Sequence, residues 1–427
     1  MLSTFASFFK NKEIRNRIFF TLLMLLIYRV GAAIPVPGVN ADMLAAQIAD
    51  NSILSMMNLL GGGAFERMSV FALGVGPYIT ASIIIQLLSM DVIPALTELA
   101  KSGQSGRTKI DQITRYLGVV LAYVQSFSMV YGFDKQYGIL ESNTLADYLF
   151  VATILTAGVM FLLWIGDRIS VKGIGNGISI IIFAGIVSNM PANFVQVYNI
   201  MVSGTSQGAV FSGVLQFALY CIVYLLIIVG VVIMQLAVRK IPIQYSSSTN
   251  VRGGNDITYL PFKINSASVI PVIFASAIMT APQIVLSFFN HEAYTTLSNF
   301  LSLQKPIGLG IYALLTFLFT FFYTNLQVDP EKVAENLGKS GAYIPGIRPG
   351  TETKTYLKKV LNRITVLGAT ALVVIAVIPH LIPMVTSLPS SVSIGGTGII
   401  IVVGVAMETV SQLKGQLTQK SYQGFLK

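Results

Sequence analysis

Apolar runs long enough to be read as membrane-crossing helices recur about ten times in this chain, and its basic residues fall into every other gap between them. The runs lie at roughly 18–35, 75–90, 114–133, 147–166, 172–190, 210–235, 267–289, 307–327, 364–387 and 395–412. Counted alternately from the N-terminus, one set of gaps holds 24 of the 28 Lys and Arg. The opposite set holds only Arg67, Lys135 and Lys305, and Arg29 lies inside the first span. Positive charge is retained on the side of synthesis, so this bias predicts a polytopic membrane protein with both termini cytoplasmic.

Composition excludes most other classes. A chain that is 54% hydrophobic and 11% charged, with a mean hydropathy of +0.71, has too little charge to solvate a soluble surface of this size. The formal net charge of +10 is topogenic and faces anionic lipid before it faces nucleic acid. The single cysteine, Cys221, cannot form an intramolecular disulfide, and neither His291 nor His380 sits in a metal-type spacing. No cofactor is expected. The basic start is followed by a span that runs on to Pro35 and Pro37 without a small-residue cleavage site, so it reads as a retained helix.

The spans are nearly free of mid-membrane charge. Ion-coupled transporters place ionisable groups there, where each is costly and functional. Here Asp91, Asp167 and Glu408 lie near cytoplasmic span ends, and Arg29 lies toward the outer third of its span, where it can snorkel or pair. No Gly-x-Ser-x-Gly elbow with a partner base, no metal cluster and no Walker-type loop appears in the sequence. A hydrolase is therefore not expected, and any energy source must be external.

Helix breakers stand beside β-branched residues instead. From Leu60 to Leu88 the chain reads LGGGAFERMSVFALGVGPYITASIIIQLL, in which a short amphipathic piece, Ala64 to Phe71, lies between glycine-rich breaks before Pro77 opens a span. Two readings fit it: a re-entrant element sheltered by protein or a wet cavity, or an amphipathic helix on the outer surface. There is also an internal echo. Pro77-Tyr78-Ile79 and Pro271-Val272-Ile273 open spans two and seven; Gly175-Asn176-Gly177-Ile178 and Gly396-Thr397-Gly398-Ile399 enter spans five and ten. An offset of five, an odd number, implies two inverted halves around a midplane site.

Four longer stretches carry a resemblance. Gly31-Ala-Ala-Ile-Pro-Val-Pro-Gly38, Phe71-Ala-Leu-Gly-Val-Gly-Pro-Tyr-Ile-Thr-Ala-Ser-Ile-Ile-Ile-Gln86, Gly173-Ile-Gly-Asn-Gly-Ile-Ser-Ile-Ile-Ile-Phe-Ala-Gly-Ile-Val187 and Tyr343-Ile-Pro-Gly-Ile-Arg-Pro-Gly350 occur in order along ten spans. In these the chain resembles, along nearly its whole length, the SecY family, which forms the channel of the bacterial Sec protein translocase. The resemblance implies an all-α integral membrane fold of ten transmembrane helices in two inverted five-helix halves around a hydrophobic constriction. It further implies a channel for secretory polypeptides that also releases transmembrane segments sideways into the cytoplasmic membrane, and no enzymatic activity.

Carried onto this chain, the family's pore ring falls on Val75, Ile79, Ile178, Ile182, Ile273 and Ile401. Stiff apolar side chains around a constriction offer ions no hydrogen bonds; Ile at helical spacing is also ordinary helix packing. The family's plug falls on Gly62, Gly63, Ala64, Phe65, Met68 and Phe71, with glycines that would let it swing away. The lateral gate falls between spans two and three on one side and seven and eight on the other, with Thr80, Gln86 and Thr114 on its helices. Gln86 and Thr114 either bond across a closed seam or are satisfied within their own helices. Docking of the motor ATPase SecA and the ribosome would use Arg348, framed by two prolines, with Lys354, Lys240 and Arg252. The 246–256 loop tip carries only Arg252 where relatives have several basic residues. Further implied partners are the small subunits SecE and SecG, precursor chains and anionic lipids.

The expected organisation is an N-terminal segment 1–17, a first half 18–190 with the plug at about 61–72, an external connector 191–209, a second half 210–412 and a tail 413–427. Docking loops are expected at 236–266 and 328–363. A secondary solute transporter is the alternative function, disfavoured by the missing midplane charge; a pore-free scaffold would not need glycine-broken helices in both halves.

Overall fold

The computed structural model describes residues 11–40, 62–89, 92–140, 144–203, 210–245, 258–289, 297, 300–303, 305–385 and 390–424. In chain order the helices are α1 (Lys12–Gly31), α2 (Gly76–Leu88), α3 (Pro94–Lys101), α4 (Gln104–Tyr137), α5 (Leu145–Lys172), α6 (Gly177–Tyr198) and α7 (Val210–Leu236). They continue with α8 (Ile270–Phe289), α9 (Pro306–Gln327), α10 (Pro330–Lys339), α11 (Thr351–Val385) and α12 (Ser390–Gly424). By length and composition, seven stretches, within α4 to α7, α9, α11 and α12, can cross a membrane. The apolar helices α2 and Ile270–Met279 of α8 are shorter, and α1 carries Arg15, Arg17 and Arg29 along its 20 residues. Together these helices occupy all the expected runs.

Helix starts follow local chemistry. The side chains of Asn11, Thr144, Asn176 and Asp329 accept from the first exposed backbone N–H groups of α1, α5, α6 and α10, while Pro77 stands in the first turn of α2, where no donor is lost. The turn before α6 is built by its glycines. Gly175 has φ +68°, and a Cβ on Gly177 would lie 1.8 Å from the Gly166 carbonyl oxygen, so α5 and α6 cross at backbone distance. Thr21 of α1 holds the same turn by accepting from Ile174 N at 3.1 Å. The C-terminal echo of this motif, Gly396-Thr397-Gly398, lies inside α12 instead of in a turn.

The packing pattern of the first half is repeated in the second. Helix α2 packs on α4, α4 on α5, α5 on α6, and α1 on both α5 and α6; correspondingly α8 packs on α9, α9 on α11, α11 on α12, and α7 on both α11 and α12. The halves meet along two lines. On one, α2 and α4 lie against α8; on the other, α6 packs on α12, and the π-helical segment Asn199–Ser203 that continues α6 packs on α7.

The basic loops are more structured than the sequence suggested. Strand β1 (Val238–Tyr245) pairs antiparallel with β2 (Thr258–Lys263), and Gln244 and Tyr245 pair with Tyr343 and Ala342 of β3 (Ala342–Tyr343). Ile241 and Ile243 alternate inward on β1, the two-residue period of a half-buried strand. With Phe262, Leu337, Ile344 and, from the first turns of α11, Leu357 and Leu361, they form a core of their own. The described parts of the 236–266 and 328–363 segments thus make one small folded body. Helix continues through part of the expected connector, to Tyr198, and through much of the tail, to Gly424.

Candidate functional site

All six ring residues belong to one apolar cluster. Val75, Ile182 and Ile401 are buried there, and Ile79, Ile178 and Ile273 pack against it half-buried. They come from α2, its N-cap, α6, α8 and α12, so both halves contribute. The same cluster includes Leu162, Ile165 and Ile169 of α5.

The segment 62–75 is a series of turns, which removes the amphipathic surface helix as one of the two readings of 64–71. Ala64, Phe65 and Met68 are fully buried and Phe71 nearly so, which is incompatible with a helix lying on an outer surface. Its side chains insert at two places. Ala64 and Phe71 join the cluster that holds the ring; Phe65 and Met68 enter a second core with Met129, Val130, Ile139, Tyr148 and Leu155 of the first half. Phe71 stacks between Tyr28 and Phe161, with ring centroids 6.2 and 6.0 Å away. The backbone is pinned too: Val36 N donates to Met68 O at 2.9 Å and Val70 N to Ile34 O at 3.0 Å.

Gly62 and Gly63 stand where the segment comes closest to its neighbours. A Cβ on Gly62, at φ +69°, would stand 2.4 Å from Tyr28 Oη and 2.6 Å from Gly185 Cα. These glycines allow the segment to press against α1 and α6. Arg29, for which snorkelling and pairing were both open, donates from Nη1 to Gly62 O at 2.8 Å. Sequence reading missed this tether. Its signal was a guanidinium in an apolar span facing a glycine carbonyl free of steric cover.

The residues assigned to the lateral gate do not bond across the seam. Thr80 Oγ1 donates to Gly76 O, Thr114 Oγ1 to Ile110 O, and Gln86 Nε2 to Ser82 Oγ at 3.0 Å, each within its own helix. What closes the line between α2 and α8 is apolar. Ile83 packs with Ala267, Phe274 and Tyr323, backed by Ile79, Ile270, Ala277 and Phe319. Phe274 meets Phe319 and Tyr323 edge to face at 6.1 and 6.0 Å. Sequence reasoning looked for polar partners and passed over these aromatics, which resemble any others in an apolar helix.

On the basic face, Arg348 is exposed at a turn between Gly346 (φ +81°) and Gly350 (φ +102°), and its carbonyl accepts from Thr353 Oγ1 at 2.8 Å. Ile344 buries the near end of that turn in the small body, so the guanidinium is displayed on a fixed base. Lys240 is exposed on β1. Lys354 instead pairs with Glu331 at 2.6 Å and ties α11 to α10. Arg252 lies outside the described residues, as do Asp91 and His291. Asp167 pairs with Arg115 at 2.8 Å. Among the described residues, no group of three or more His, Cys, Asp or Glu is placed to hold a metal.

The chain that folds this way matches a known family. The SecY family model aligns with residues 69–410. The chain belongs to the SecY family. A relative at 46% identity, with both chains covered completely, is the protein translocase subunit SecY of Bacillus subtilis. Among solved structures, one described as the structure of a protein conducting channel superposes with a TM-score of 0.68 at 19% identity, covering 93% of this chain and 91% of that one. An idle yeast Ssh1 complex bound to the ribosome superposes with a TM-score of 0.65 at 17% identity, covering 93% and 89%. The SecY fold thus persists where most side chains differ, and this chain is a multi-pass channel subunit of that fold.

Proposed function

We propose that this chain is the protein-conducting channel of a bacterial cytoplasmic membrane, carrying secretory polypeptides across and releasing transmembrane segments sideways into lipid. The observation that carries this reading is the convergence of Val75, Ile79, Ile178, Ile182, Ile273 and Ile401 in one cluster with Ala64 and Phe71 of the turn segment. A collar of β-branched side chains is stiff and offers water no hydrogen bond, so the idle constriction dewets and excludes ions. An extended chain in transit would be gripped by the same collar without sequence preference. The turn segment is the plug, seated until a substrate displaces it.

Lateral release uses the seam between α2, α4 and α8. Its contacts are apolar, so an apolar segment arriving there can replace them and leave into lipid. About ten Leu-like residues gain several kcal/mol on that transfer, enough to bias a two-state seam. The basic face is cytoplasmic by the positive-inside rule, with both termini there. It presents Arg348 and Lys240 to the motor ATPase SecA and to ribosomal phosphates, and the remaining positives to anionic lipid. SecE and SecG are the expected small membrane partners. Nothing in the described spans supplies an energy source, so the motor or the ribosome must drive transport.

The test is reconstitution in proteoliposomes with a SecE partner, SecA and ATP, using a radiolabelled secretory precursor. ATP-dependent protease protection that disappears when the signal sequence is deleted supports the channel. Absence of protection, alongside a competent known channel, returns the reading to small-solute uptake.

A further inference from the structure

A second site lies off the pore, on the basic face of the C-terminal half. A cavity of 440 Å³ opens between the C-terminal ends of α7 and α9, the middle of α12, strand β2 and the link into α8. Its walls are apolar at Phe262 and Ile270, and Lys263, Glu408 and Ser411 stand on its rim. Two primary amides line it with one polar atom each left over. Gln235 Nε2 and Asn265 Oδ1 are buried and have no hydrogen-bond partner. Asn265 is only 2% exposed, and its orientation is fixed because Nδ2 donates to Ser268 O at 2.9 Å in a turn where Ser268 has φ +56°.

Buried amide atoms are rarely left unpaired, and one free donor and one free acceptor on the same cavity wall complement the C=O and N–H of one residue in an extended chain, which point to the same side. A polypeptide in transit is extended, so its peptide groups have no secondary-structure partners and its alternate side chains can face the apolar wall. The Glu408 carboxylate at the rim suits a basic side chain, the kind found ahead of the apolar core of a signal sequence. The cavity has room for a few residues and not for a folded element. It adjoins the first turn of α8, one side of the lateral seam.

We propose that the cavity bounded by Gln235, Asn265 and Glu408 is a docking site for a short extended segment of the translocating polypeptide, the basic stretch ahead of its apolar core. There Gln235 donates to a substrate carbonyl, Asn265 accepts from a substrate N–H, and Glu408 meets the positive charge. The site holds the front of the signal still while the apolar part samples the seam. This rests on the channel reading.

The experiment uses the full chain with its partners in proteoliposomes and a benzophenone amino acid at Ser411. A radiolabelled precursor is stalled during ATP-driven transport by a folded C-terminal domain. Crosslinking to the precursor segment before the apolar core is expected, with a yield that falls about fivefold in Gln235→Met, the factor for one net hydrogen bond. Glu408→Gln, an exposed change that leaves packing intact, should lower the yield for a precursor with a basic front and leave unchanged one whose front is neutral. Protease protection without a precursor crosslink, or with a crosslink only to SecA, overturns the docking site and leaves the channel standing. Equal yields in both variants overturn it as well, since a water-filled cleft beside the path would behave that way. Loss of protease protection by the unmodified chain overturns the channel reading itself.

Discussion

Replacing Phe71 by Ala tests whether the 62–75 segment seals the idle channel. The ring is 4% exposed, lies between Tyr28 and Phe161, and rests directly on α1, where a Cβ on Gly31 would come within 2.1 Å of it. Truncating a packed phenylalanine costs about 3–5 kcal/mol, of which the two stacked contacts supply about 0.5–1.5 kcal/mol each. The penalty falls on the seated plug, because a displaced plug has already lost those contacts. Phe65 and Met68 keep the second anchor intact, so the low end, about 3 kcal/mol, is the appropriate figure. That shifts the ratio of seated to displaced plugs by about 150-fold. In planar bilayers without substrate, the fraction of channels showing openings should rise by about two orders of magnitude, the ring limiting the current through each. Phe71→Leu, which keeps most of the volume, should rise far less. An unchanged open fraction in Phe71→Ala, with a lowered thermal unfolding midpoint, would show that the segment is core packing and not a seal.

The same geometry makes Gly62→Ala disruptive: a left-handed alanine costs about 1–2 kcal/mol before its Cβ meets Tyr28 and Gly185. A cysteine placed at Ala64, in a chain whose Cys221 has been replaced, should become reactive to a thiol reagent only in that background; equal protection would mean that the close approach is not needed. Replacing Ile79 and Ile182 together by Gly removes two walls of the collar and should leak ions in the idle state, and a conductance equal to the unsubstituted chain would remove the gasket argument. Arg348→Glu alters an exposed turn and should leave folding untouched while impairing SecA-driven protease protection several-fold. Normal export by that variant would reduce the loop's charge to a topological role.

The reading from sequence succeeded where the cause is local. An apolar run must be helical in lipid because its backbone has no other partner there, so the spans could be placed before any contact was known. The β-branched character of the ring was visible at each position, as were the Pro-Gly frame around Arg348 and the glycine turn ahead of α6. It failed where an outcome depends on a distant neighbour. Whether Gln86 and Thr114 bridge the seam or bond within their own helices was open from the sequence; Ser82 and Ile110, each four residues earlier, take the Gln86 Nε2 and Thr114 Oγ1 donors. The strands β1 and β2 were hidden among basic loop residues because Ile241, Ile243 and Phe262 gain an inner face only when Leu337, Ile344 and Leu357 arrive from another loop.

Run lengths and residue types alone were enough to say that the chain spans a membrane several times and that any constriction between its helices would be apolar. Each follows from the transfer free energy of single residues and short runs, which needs no partner. Tertiary structure decided that six isoleucine and valine side chains from both halves meet in one cluster, and that Arg29 holds the Gly62 carbonyl. It also decided that Phe274 and Tyr323, not the polar residues, close the line against Ile83. Those outcomes turn on which helix faces come together, and each helix has several apolar faces that its own sequence cannot rank.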